Sequence, residues 1–271
     1  MGERDGHPAR VPDAPVPARD GGERVLELLR VMARLRGPGG CPWDAEQTHS
    51  SLARYLLEET HEVLDAIDSG DPGRLRDELG DVLLQVVFHA EMAREAGEFD
   101  MDEIAAGTVE KLIRRHPHVF GEAEVASAGE VMVNWERIKE REEGSRRADA
   151  DIPPTLPALA RASKVQRRVA GSGFEWRTEK AAVEKLREEV EELASAPPDE
   201  AEGEIGDVLF ATVAVARRLG VDPESALRRT TDRFAERYER MLALAKERHV
   251  NLDSLTDDGL LKLFREGRTE G

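Results

Sequence analysis

One order of residues occurs twice in this 271-residue chain, and it limits the possible folds more than any other feature. The first copy reads Glu58-Glu59-Thr60-His61-Glu62, followed by Glu78-Leu79-Gly80-Asp81-Val82-Leu83. The second reads Glu188-Glu189-Val190-Glu191-Glu192, followed by Glu204-Ile205-Gly206-Asp207-Val208-Leu209. Either element alone is common in charged helices. Their recurrence in the same order marks a duplicated supersecondary unit. The apolar residues around both copies recur at helical spacing, and no alternating stretch argues for a strand. The expected fold is therefore all-α, with two tandem helical-bundle units.

Breakers punctuate the pattern. In the first copy helices are expected near 23–36, 48–68, 74–96, 101–115 and 127–143, with Asp44 or Thr48 as the start of the second. In the second copy they are expected near 158–170, 178–195, 200–219, 223–247 and 256–266. Residues 1–22, rich in Pro, Gly, Asp and Arg, read as a disordered tail. Residues 142–157 carry three prolines and a charge run, and read as a linker. The expected domains are thus 23–141 and 158–271.

Charge narrows the function. The formal net charge is −17, so no basic surplus exists for gripping nucleic acid phosphates. No apolar run approaches the length that spans a bilayer. Cys41 is the only cysteine, which agrees with a reducing, cytoplasmic setting.

The repeated acids carry the chemistry. At about 100° per residue, Glu58, Glu59 and Glu62 share one helix face, and Glu78 and Asp81 share another. The ordinary reading of such a cluster is a solvated face, but like charges one turn apart cost a few tenths of a kcal/mol. The second helix of each pair is more informative. Leu79, Val82, Leu83, Leu84, Val86, Val87 and Phe88 leave only a stripe of Glu78, Asp81, Gln85 and His89 polar. Ile205, Val208, Leu209, Phe210, Ala211 and Val213 surround Glu204 and Asp207 in the same way. A helix apolar almost all round is expected to be buried. Carboxylates on it then need a salt-bridge partner, a proton or a metal. An oxygen-rich set lacking cysteine and histidine suits Mg²⁺, or Mn²⁺ in its place, better than zinc or copper. An acidic pocket can hold a polyanion only if metal inverts its charge, which points to phosphoanhydride or phosphate-ester chemistry.

With these motifs the chain resembles the MazG-type nucleoside triphosphate pyrophosphohydrolases of the all-α NTP pyrophosphatase superfamily. The likeness runs over about residues 24–268. It includes CPWDAEQTHSSL at 41–52, LLEETHEVLDAI at 56–67, RRHPHVFGEAEV at 114–125, NWERIKE at 134–140, DIPPTLPALARASKVQRR at 151–168 and GFEW at 173–176. The resemblance implies two MazG-like units, Mg²⁺-dependent hydrolysis of nucleoside triphosphates to monophosphate and pyrophosphate, and a homodimer with sites completed across the subunit interface. By residue, it implies metal ligands Glu189, Glu192, Glu204 and Asp207 in the second half, matched by Glu59, Glu62, Glu78 and Asp81 in the first. Glu188 would orient or activate water or hold a further ion. Lys185, Arg233 and Arg237 would contact the nucleotide phosphates, with Phe234 beside them. Phe264 stands where the family often has tryptophan. In the first half Tyr55 takes the place of Lys185, while Lys111 and Arg115 match Arg233 and Arg237.

Two other readings compete. Glu58-x-x-His61 superficially resembles the ExxH element of carboxylate-bridged di-iron bundles, but that fold needs the element on two helices, and the second copy here has no histidine. A helical binding module that has lost turnover would keep the fold, yet both acid sets are complete. His61 is read as a surface residue, His116-Pro117-His118 as a capped turn, and Trp43, Trp135 and Trp176 as packing residues.

Overall fold

The computed structural model describes residues 21–143, 149 and 152–268. Most of the expected tail and part of the expected linker lie outside these residues. The chain divides into two compact units, Met1–Ile138 and Lys139–Gly271. Among the described residues every regular element is helical.

The first unit holds α1 (Gly21–Arg36), α2 (Pro42–Glu46), α3 (His49–Ser69), α4 (Pro72–Ala96), α5 (Met101–Arg115), α6 (Pro117–Phe120) and the part of α7 (Ala128–Glu143) up to Ile138. Thr48, not Asp44, starts the long α3. Its hydroxyl accepts from the Ser51 N–H at 3.1 Å, and the Ser51 hydroxyl accepts from the Thr48 N–H at 2.9 Å. This reciprocal box satisfies two of the donors that a helix start leaves open. Asp44 lies inside the short α2. Gly70, at φ 68°, ends α3, and Asp71 with Pro72 at once begins α4, so the two helices form a tight hairpin. Met32, Leu52, Val87, Phe88 and Met92 form the core, with Tyr55 packed against it.

The second unit holds α8 (Ala158–Gly171), α9 (Glu179–Ser195), α10 (Ala201–Arg218), α11 (Pro223–Glu247), a 3₁₀ turn at Leu252–Ser254 and α12 (Asp257–Glu266). Thr178 caps α9 as Thr48 caps α3, accepting from the Ala181 N–H at 3.1 Å. Within this unit α9 packs mainly on α10, as α3 packs on α4 in the first. A separate core of Met241, Ala245 and Leu263 joins α11 to α12.

The GPGG turn after α1 depends on glycine at position 40. A Cβ there would lie 2.1 Å from the Leu35 carbonyl oxygen and 2.5 Å from that of Arg34. Gly40→Ala is therefore expected to force the turn apart, at about 1–3 kcal/mol for an overpacked site. That corresponds to a melting temperature roughly 3–10 °C lower in a thermal scan. Gly107→Ala, where nothing lies within 4 Å of the new Cβ, is the control and should melt no lower.

One expectation needs correction. Helices α4 and α10 are not buried all round in a single chain. Leu79 is 50% exposed, and Ile205, Leu209 and Phe210 are 47–49% exposed. Burial concentrates in the C-terminal half of α4, from Gln85 to Ala93, whereas α10 buries only Ala211 and Val213. The hairpin partner covers one face of each acid-bearing turn and leaves the other apolar face open.

Candidate active site

Each hairpin brings its acids together. On α3 and α4, one oxygen from each of Glu59, Glu78 and Asp81 lies within 4.8 Å of the others. On α9 and α10, Glu189, Glu204 and Asp207 converge within the same distance. The fourth acids, Glu62 and Glu192, stand one turn further on and are exposed. Each lies close enough to its neighbour, Glu59 or Glu189, to perturb the titration of the pair. Crowding shows in the titration of these groups. Burial, then the charges of Asp81, Glu62 and Glu78, pushes Glu59 above the usual carboxylate range. Glu192 is likewise raised, by partial desolvation and by Glu189 and Glu188, against the opposing pull of Lys185.

The two clusters differ in their built-in cation. Lys185 lies 2.7 Å from Glu188 and 2.9 Å from Glu189, so its ammonium is held firmly in the charged form. Glu189 is 9% exposed, and this ion pair is what makes its burial tolerable. In the first unit Tyr55 faces the core edge instead, with the Arg54 guanidinium stacked over its ring at 4.4 Å. Glu78 has a looser partner there, Arg74 at 3.6 Å.

The residues fit a divalent cation on one further observation. Glu204 Oε2 is buried and has no hydrogen-bond partner among the described residues. A buried, unpartnered carboxylate oxygen is costly unless a cation or proton meets it. With Glu189 and Asp207, Glu204 makes three hard oxygen donors that converge, the donor type that Mg²⁺ or Mn²⁺ prefers.

A cavity of about 490 Å³ opens beside the second cluster. Lys185, Glu189 and Asp207 form its charged side, and Phe174, Trp176 and Phe210 contribute aromatic surface. Trp176 thus departs from the packing role expected of it, being 44% exposed. Gln166, also in this lining, donates from Nε2 to the Phe210 carbonyl at 2.7 Å. Sequence reasoning missed this lining, although GFEW at 173–176 had flagged Phe174 and Trp176 as part of a motif.

The basic residues lie elsewhere on the same unit. Arg233, Phe234, Arg237 and Phe264 meet between α11 and α12, in a second cavity of about 510 Å³ that shares no lining residue with the first. Arg237 sits over the Phe264 ring at 4.2 Å, and Phe234 lies 5.1 Å from the same ring. The first unit repeats this pair: Arg115 lies 5.6 Å over Trp135. Trp135 is therefore a cation-bearing platform and not simply a packing residue. Lys111 enters no described contact with that pair.

Comparison with known proteins agrees with this layout. The family model described as the MazG nucleotide pyrophosphohydrolase domain matches residues 47–120 and again 177–242, together more than half of the chain. The chain belongs to the MazG family. A nucleoside triphosphate pyrophosphohydrolase/pyrophosphatase MazG of Thermotoga maritima is 44% identical over 253 residues, covering 92% of this chain and 98% of that protein. A nucleoside triphosphate pyrophosphohydrolase of Escherichia coli K12 is 46% identical over 253 residues, covering 90% and 96%. One from Mycolicibacterium smegmatis is 46% identical over 158 residues, covering 56% of this chain and 48% of that protein. Both family matches fall on an acid-bearing hairpin, so the duplication read from the sequence is a duplication of the MazG domain.

Proposed function

We propose that this MazG-family chain is an enzyme that hydrolyses nucleoside triphosphates to monophosphates and pyrophosphate, with Mg²⁺ as the required ion and Mn²⁺ able to replace it. The observation that carries the proposal is the convergence of Glu189, Glu204 and Asp207 beside Lys185, with Lys185, Glu189 and Asp207 lining a cavity with aromatic walls. The named activity of the two full-length relatives supports the same reading. Bound Mg²⁺ would neutralise phosphate oxygens and lower the pKa of water. Glu189, Glu192, Glu204 and Asp207 would hold it, and Glu188, 58% exposed and bonded to Lys185, would accept a proton from the attacking water. The water oxygen bonds to the α-phosphorus, the bond from that phosphorus to the bridging oxygen breaks, and pyrophosphate leaves. Lys185 stabilises the charge that develops on the phosphates. A wall of aromatic faces accepts any base, which supports broad base tolerance.

Incubation with each NTP in Mg²⁺, followed by ion-exchange chromatography, should give equimolar NMP and pyrophosphate. NDP and orthophosphate as first products would overturn the reading. A protein that bound NTP but released nothing would instead be the non-catalytic module considered above.

The half-exposed Ile205, Leu209 and Phe210, repeated in part by Leu79, are apolar surface next to charged residues. We propose that a second copy of the chain covers them in a cytoplasmic homodimer, through a self-complementary patch. It would also bring Arg233 and Arg237 of one copy to the acids of the other. Light scattering should give twice the 30.1 kDa chain mass. Ile205→Glu with Leu209→Glu should give the monomer and remove most activity, and an active monomer would refute the dimer.

A further inference from the structure

The aromatic cavity beside the second acid cluster contains one oriented polar group with unused bonding capacity, the amide of Gln166. Gln166 lies on α8 and is 5% exposed, in the same lining as Phe174, Trp176 and Phe210. Its Nε2 donates to the Phe210 main-chain carbonyl at 2.7 Å. A carbonyl can only accept, so this bond fixes which way the amide faces and leaves Oε1 as an acceptor. That oxygen is buried and has no hydrogen-bond partner among the described residues. The side chains of Val165, Val169, Ala211 and Ala214, which share the lining, carry no donor to give it. Arg218 Nε is also buried without a partner, but the rest of its guanidinium is tied to Glu175 and to the Arg177 carbonyl. A buried amide oxygen left bare is costly, and a donor brought in by a ligand would relieve it.

Position selects the part of a nucleotide that meets this oxygen. Phe210 follows Asp207 by three residues on α10, about 4.5 Å along the helix axis. A nucleotide with its phosphates at the acids would extend its base over these turns, among the aromatic side chains. Stacking on those rings is indifferent to the base, because every base has a π-face. A fixed acceptor is not indifferent. Adenine and cytosine carry an exocyclic amine that donates, whereas uracil has a carbonyl oxygen where cytosine has its amine. Two oxygens brought face to face repel.

We propose that Gln166 is a specificity-determining residue, whose Oε1 accepts an N–H from the exocyclic amine of a base seated in the aromatic cavity. Bases that carry the amine are favoured over those with a carbonyl in its place, within a site whose stacking surface admits both. This assignment rests on the proposed hydrolysis of nucleoside triphosphates at the neighbouring acids.

The α,β-methylene analogues of CTP and UTP keep three phosphates but cannot release pyrophosphate, so calorimetry with Mg²⁺ reads base recognition without turnover. The unaltered protein should bind the CTP analogue about ten- to a hundredfold more tightly than the UTP analogue, the usual consequence of leaving a buried acceptor unmatched. Gln166→Met removes the amide oxygen from a side chain of similar length, and should bring the two Kd values to within about twofold of each other. The ratio of kcat/KM for CTP and UTP should collapse in the same way. Each ratio is internal to one protein, so a general loss of stability or affinity cancels from it. Equal binding of both analogues by the unaltered protein, as when a water already occupies Oε1, would overturn the proposal, and so would a ratio that survives in Gln166→Met. If Gln166→Met does not fold, kinetics of the unaltered protein with ATP and with purine riboside triphosphate, which lacks only the amine, decide the matter. A difference in kcat/KM below about threefold then counts against Gln166. A protein that binds the analogues with the expected ratio but turns over no NTP would sink the hydrolysis reading and leave this assignment standing.

Discussion

Replacing Glu189 and Glu192 together by alanine should reduce NTP turnover by about ten- to a hundredfold, down to what the first hairpin alone sustains. Glu59→Ala with Glu62→Ala should leave most of it. Both hairpins bring three acids within 4.8 Å, so the acids alone do not separate them. Nor does the Arg-over-aromatic pair, present as Arg237 on Phe264 and as Arg115 on Trp135. What separates them is Lys185, whose ammonium sits among the acids of the second hairpin, where the first has a tyrosine turned to the core edge. A charged hydrogen bond to phosphate contributes about 1.5–3 kcal/mol, so a half lacking it runs about ten- to a hundredfold slower. Turnover measured at equal far-UV circular dichroism checks this. A larger loss from the Glu59 and Glu62 pair would reverse the assignment, and equal losses would mean that Tyr55 is no handicap.

Removing divalent cations should abolish turnover outright, and restoring Mg²⁺ or Mn²⁺ should recover it. The same titration should raise thermal stability. Glu204 Oε2 is buried without a partner, and Glu59 and Glu192 are crowded by neighbouring acids, so the folded chain carries a repulsion that a cation relieves. At a concentration a hundred times its Kd, a ligand confined to the folded state adds about 2.7 kcal/mol. For a domain of this size that corresponds to roughly 5–10 °C. Differential scanning calorimetry with and without EDTA reads the shift. Turnover that survives exhaustive chelation would rule out the metal-dependent mechanism.

Much of the architecture was legible because helices announce themselves by period and by punctuation. Thr48, Gly70-Asp71-Pro72 and Gly97 in the first unit, and Thr178 and Asp222-Pro223 in the second, stand at helix boundaries. The one-turn helices α2 and α6 escaped because four or five residues carry no detectable period. The acid clusters were readable because each is built from two sequence-adjacent helices at fixed spacing. The aromatic cavity was not, since Gln166, Trp176, Lys185 and Phe210 come from separate segments that only folding brings together. The exposure of Ile205 and Leu209 was also hidden. Periodicity shows that a helix is apolar on every side, but not whether its own chain covers each side.

Each cluster of acids is enclosed within one hairpin of consecutive helices, α3 with α4 or α9 with α10. A gene duplication that copies one hairpin therefore copies a whole set of metal-ligand acids in a single event, with no need for a new partner segment elsewhere to supply a missing one. The two copies share no carboxylate. Drift in one copy, such as tyrosine where the other has lysine, leaves the other's acids untouched. The duplicated hairpin thus acts as a mutational reserve, in which one half can change its phosphate contacts while the other continues unaltered.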